Sequence, residues 1–175
     1  MKNSKTTKIL LEEARSLKSQ EKYKEALKIL EDLYENYPNS EEIKSLLIDT
    51  LFDYGGYLND YYTMEYEKAK QSFERITIVS PKNYRAHYNL GIAYFNLGQM
   101  DNAKNSFEKA LTIKPDYKYC LYNLGLIYED LEQYKEALNY YEQALEIDSN
   151  FTYAITARSQ VRQKLDDLKH KNMSN

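Results

Sequence analysis

Residues 84–117 read YRAHYNLGIAYFNLGQMDNAKNSFEKALTIKPDY, and residues 118–151 read KYCLYNLGLIYEDLEQYKEALNYYEQALEIDSNF. Laid over one another at an offset of 34, they agree at thirteen positions, where about two would be expected of unrelated segments of this composition. Each copy carries two apolar stripes. Leu90, Tyr94 and Leu97 recur at i, i+4 and i+7, one face of an α-helix, and Ala103, Phe107, Ala110 and Leu111 mark a second. Gly98 falls between the stripes, where a left-handed helix cap is wanted, and Pro115 stops the second helix. The unit is therefore a helix–turn–helix. A lone hairpin of this size cannot bury its apolar face, so each must stack on the next.

Working outward, a more divergent copy spans 7–40, with Leu10, Ala14 and Leu17, then Tyr23, Ala26, Leu30 and Pro38. Between it and the clear pair lies 41–83, which ends properly with Ala69, Phe73 and Pro81 but is nine residues too long. The surplus is placed near 55–63, where Gly55-Gly56 is expected to break the helix before Tyr57, Leu58, Tyr61 and Tyr62. Those side chains either pack on one another in lengthened helices or form an exposed patch. Residues 152–170 read as a final amphipathic helix, with Ile155, Val161 and Leu165 inward and a frayed tail from His170.

These motifs resemble the tetratricopeptide repeat (TPR) family, whose 34-residue unit follows W-x2-L-G-x2-Y…A-x3-F…P. The matching residues are His87, Leu90, Gly91, Tyr94, Ala103, Phe107, Ala110 and Pro115, then Leu121, Leu124, Gly125, Tyr128, Ala137, Tyr141 and Ala144. His87 or Leu121 stands for the usual Trp, and Ser149 for the closing Pro. The expected fold is all-α, a TPR-type α-solenoid of antiparallel hairpins with a C-terminal capping helix. It forms a single domain over 1–175, with repeats 7–40, 41–83, 84–117 and 118–151 and the cap at 152–170. Gly91 and Gly125, facing Ala103 and Ala137, are expected to let the paired helices approach closely.

The resemblance also implies a concave groove walled by the first helix of each repeat. Its ligand-gripping positions fall on Arg85, Tyr88, Asn89, Ile92, Phe95 and Asn96 in the third repeat. In the fourth they are Tyr119, Tyr122, Asn123, Leu126, Glu129 and Asp130, with Tyr153 and Thr156 added by the cap. Such a wall is aromatic and aliphatic with an acidic edge, a surface suited to reversible contact with a peptide segment of a partner protein. A scaffold or adaptor follows. Two alternatives stay open: a self-assembling structural protein whose groove a neighbouring copy fills, and a secretion-type chaperone. One subgroup of the family binds C-terminal carboxylates through a Lys/Asn/Arg clamp. The corresponding positions here hold Leu11, Arg15, Leu46, Arg85 and Asn89, or, one repeat on, Ser45, Asp49, Asn89, Tyr119 and Asn123. Neither set supplies the cations.

Composition narrows the remaining classes. The 175 residues are 42% hydrophobic and 29% charged, with a net charge of −3, so a folded domain is expected and a counterion-displacing nucleic-acid surface is not. The single Cys120 allows no internal disulfide. The basic N-terminus is followed by no apolar run of signal or membrane-span length, and a cytoplasmic protein is expected. Two histidines, one cysteine and the lack of phosphate-loop or nucleophile-elbow motifs give no catalytic residue, metal site or cofactor. An enzyme is not expected.

Overall fold

The computed structural model describes residues 2–60 and 62–173; Tyr61, and Ser174 and Asn175 of the tail, lie outside the described residues. Regular structure among the described residues is all helical: α1 (Lys2–Ser19), α2 (Tyr23–Asn36), α3 (Glu41–Leu58), α4 (Tyr66–Val79), α5 (Tyr84–Asn96), α6 (Met100–Ile113), α7 (Lys118–Asp130), α8 (Tyr134–Ile147) and α9 (Thr152–Met173). They gather into two compact units, Met1–Leu97 and Gly98–Asn175.

In the first unit each helix packs on its successor, from α1 to α5. The shared core includes Leu11, Leu30, Leu47, Leu51, Leu58, Phe73, Ile76 and Leu90. Fully burying one such leucine or isoleucine contributes about 2 kcal/mol. Ion pairs tie the hairpins across their edges. Arg75 of α4 forks onto Glu31 of α2, Nε to Oε1 at 2.9 Å and Nη2 to Oε2 at 2.6 Å, and Arg15 and Lys18 of α1 reach Glu42 and Asp53 of α3 at 2.8 and 3.0 Å. The two-point guanidinium fork is the strongest geometry among these.

The long second repeat departs from its expectation. Gly55-Gly56 does not break the helix, because α3 runs through both to Leu58. Its 18 residues compare with 13 in α5 and α7, and its connection to α4 spans 59–65 where the later hairpins use 97–99 and 131–133. Five extra helical residues and four extra loop residues account for the surplus. Position 55 is glycine for a packing reason: a Cβ there would lie 2.7 Å from Phe73 Cε1. Gly125 has the same task, since its Cβ would lie 2.4 Å from Tyr141 Cε1. Phe73 and Tyr141 are two repeat lengths apart, so the second repeat keeps its motif glycine at a shifted place. What Gly125 makes room for is the Tyr141 ring.

In the second unit α6 packs on α7, α7 on α8 and α8 on α9. Leu121, Ala144, Phe151 and Ala154 form one buried cluster, and Ala137, Tyr141, Ala157 and Val161 another. The inward stripe of α9 is thus Ala154, Ala157, Val161 and the half-buried Leu165. Ile155, expected inside, is one position off that stripe and 39% exposed. The tail is not frayed from His170: α9 continues to Met173. Every hairpin turn uses a left-handed residue before its second helix, namely Glu21, Met64, Gly98 and Glu132 (φ 60°, 51°, 71° and 57°). Only Gly98 adopts that region without a Cβ penalty.

Candidate functional site

The two units present their candidate residues separately. In the second, Tyr119 and Tyr122 lie one turn apart on α7, so they emerge on one helix face. Phe151, buried just ahead of α9, sits under both rings: centroids are 5.4 Å from Tyr119 and 5.5 Å from Tyr122, each edge-on. Tyr153 closes the group at 5.7 Å from Phe151 and 5.9 Å from Tyr122, and Tyr117 stands 5.4 Å from Tyr119. Edge-to-face packing of this kind favours a fixed array of rings. The Lys118 ammonium lies 4.9 Å above Phe151 and 5.2 Å above Tyr119 while pairing with Asp148. Tyr119 remains 40% exposed and Tyr153 67%. The tier is rigid below and open above.

Other residues expected on this wall are already engaged. Asn123 is buried, and its Nδ2 donates to the Tyr119 carbonyl at 2.7 Å. Leu126 packs half-buried beside Tyr141 and Val161. Glu129, the expected acidic edge, accepts from Tyr141 Oη at 2.7 Å and from Lys164 Nζ at 2.8 Å. It therefore locks α7 to α8 and α9. Burial, then this hydrogen bond, pushes the Tyr141 hydroxyl far up. Burial, then the charge of Glu129, raises Tyr122. Asp130 and Thr156 are exposed.

In the first unit, the α5 residues Tyr88, Ile92 and Phe95 are half-buried. Arg85 is exposed with its guanidinium carbon 5.0 Å above the Phe52 ring. Asn89 donates to the Arg85 carbonyl at 2.8 Å, and Asn96 to Asn59 Oδ1 at 3.1 Å. A ring nitrogen of His87 meets the Pro81 carbonyl at 2.9 Å, so the residue in the usual Trp place clamps the preceding turn.

Phe151 and Lys118 were not among the residues expected from sequence. A signal for Phe151 existed: it is the repeat counterpart of Tyr117, so an aromatic recurs at the last position of the unit. Cys120 is buried, and desolvation pushes its thiol up to about 12, which leaves it a core residue. Among the described residues no three His, Cys, Asp or Glu side chains are placed to share a metal ion, and no helix is long and apolar enough to cross a membrane.

Helices that pack on their successors within each unit, in a chain whose sequence repeats every 34 residues, define an α-helical repeat protein of the solenoid class. The family model described as Tetratricopeptide repeat matches residues 83–150, and a second of the same description matches 9–40. Together they cover more than half of the chain, which belongs to the tetratricopeptide repeat family. No curated protein sequence matches. Among solved structures, the Sgt2 TPR domain from Aspergillus fumigatus is 25% identical, with TM-score 0.65 over 70% of this chain and 82% of that one. The MamA protein is 21% identical, with TM-score 0.70 over 98% of this chain and 90% of that one. The first TPR of Spaghetti (RPAP3), bound to the HSP90 peptide SRMEEVD, is 22% identical, with TM-score 0.63 over 68% and 93%.

Proposed function

We propose that this protein is an interaction scaffold that holds an extended or helical peptide segment of a partner protein against its first-helix faces. The observation that carries this reading is the aromatic tier of Tyr119, Tyr122 and Tyr153 over Phe151. Tyrosines fixed from below and open above offer a partner large contact area with little rotamer entropy left to lose. Family membership supports the same reading, as do the peptide-bound TPR structures it is similar to. On α5, Tyr88, Ile92 and Phe95 supply a second apolar strip flanked by Arg85, Asn89 and Asn96.

The test compares partner capture by the natural chain with that by Tyr119→Ala/Tyr153→Ala. Tyr153 is 67% exposed and Tyr119 40%, so the double variant should stay folded with a modestly lower melting temperature while losing specific partners. Recovery of the same proteins by both chains would remove the tier from the mechanism.

The chemistry of the partner is narrowed by what is missing. RPAP3 domains are seen with peptides ending EEVD. Here Leu11 and Leu46 are buried in the core, Arg15 is spent on Glu42 at 2.8 Å, and Arg85 lies over Phe52. A terminal carboxylate would find no ammonium–amide clamp. Calorimetric titration with SRMEEVD should show no micromolar binding, and binding abolished by amidating the peptide terminus would contradict this.

A further inference from the structure

The lengthened α3 brings aromatic side chains to the start of α2. Tyr54 and Tyr57, one turn apart, flank Tyr23 at the start of α2, with centroids 5.8 and 6.2 Å from its ring. Beside them lies a cavity of about 330 Å³, bordered also by Leu58, Glu21, Glu25, Glu65, Lys22 and Lys24. Leu58 is buried and Tyr57 is 53% exposed, so the hollow has an apolar floor and an accessible aromatic wall. Three carboxylates and two ammonium groups border it; Glu21, Glu25, Lys22 and Lys24 are all exposed, and Glu65 pairs with Lys68.

The geometry points to a site for an organic ammonium group, held by the faces of Tyr23, Tyr54 and Tyr57 and by the carboxylates of Glu21 and Glu25. Tyrosine rings are negative on their faces and attract cations within about 6 Å of the centroid. The volume admits a trimethylammonium head, and an apolar floor suits its methyl groups. After burial itself, the charges of Glu21 and Asp53 raise the Tyr23 hydroxyl, and that of Lys18 opposes them. This site is independent of the peptide-holding faces proposed above, and uses none of their residues.

One ligand chemistry can come from two sources, a lysine-type side chain of a partner or a free quaternary ammonium compound. The full chain, with its tyrosine rings ¹³C-labelled, is titrated by NMR with choline, with an acetylated trimethyllysine amide, and with 3,3-dimethylbutan-1-ol, the uncharged isostere of choline. Expected are saturable shifts of Tyr23, Tyr54 and Tyr57 with the two cations and none with the alcohol. Binding should weaken about tenfold in Tyr57→Leu and severalfold in Glu21→Gln, a surface change that leaves the rings in place. Tighter binding of the lysine analogue identifies a partner side chain; equal or tighter binding of choline identifies the free compound. Equal response to the alcohol, unchanged binding in both variants, or no saturable shift with either cation overturns the assignment.

Discussion

At the scale of single residues, adjacent glycines in α3 have opposite tasks. A Cβ at Gly55 would collide with the Phe73 ring, whereas one at Gly56 would meet nothing within 4 Å. Gly55→Ala should therefore destabilise the fold by about 1–3 kcal/mol through overpacking. Gly56→Ala, in the same helix and facing open space, should stabilise it by about 0.5–1 kcal/mol through lower backbone entropy in the unfolded chain. Urea denaturation of the two variants checks both signs at once. If the Gly-Gly pair ended the helix, Gly56→Ala would give no gain. Sequence alone suggested that ending, because paired glycines are strong local breakers. What it did not show was that Phe73 needs one of those places vacant, a contact between side chains on different helices.

At the scale of elements, the repeat was legible because its information is periodic: small residues, apolar stripes and Pro stops recur 34 residues apart and survive local substitution. Site residues were legible by position but not by state. Tyr119, Tyr122 and Tyr153 gather on Phe151, whereas Asn123 and Glu129 spend their polar atoms inside the fold. Hydrogen-bond partners from neighbouring helices leave no mark at a fixed spacing. The cap shows the same limit, since its inward stripe is offset by one residue from the expected Ile155. That offset has a consequence. Val161 is fully buried against the Ala137 and Tyr141 cluster, and Ile155 is not. Val161→Asp should place an unpaired charge in that cluster and cost more than about 3 kcal/mol, while Ile155→Asp should stay within about 1 kcal/mol of the natural chain. Thermal melts followed by circular dichroism separate them; equal losses would put α9 in a different register on α8.

At the scale of the molecule, both units hold groups whose surroundings favour the neutral form, which sets an alkaline limit on stability. In the first, Tyr94 donates to Glu74 at 2.9 Å, and burial followed by this bond and the charges of Glu74 and Glu67 pushes it up to about 12. In the second, burial holds the Cys120 thiol at about 12, and Tyr141, buried and bonded to Glu129, is raised further. An unfolded chain releases these protons near pH 8.5 for the thiol and near 10 for the phenols. Folded pKa values above unfolded ones mean that the stabilisation is complete below those unfolded values. It is lost as pH climbs toward the folded ones. Urea midpoints should therefore be flat from about pH 7 to 8 and fall progressively from about 9 to 12. Tyr94→Phe gives the internal control. It should lose about 1 kcal/mol at neutral pH with its hydrogen bond, yet decline less steeply between pH 10 and 12, because one titrating group has gone. A parallel decline in both chains would detach the alkaline transition from Tyr94. Cys120 adds an independent readout: reaction of its thiol with a disulfide reagent at pH 8 should be slow in the folded chain and become fast at the urea concentration that unfolds the helices around it.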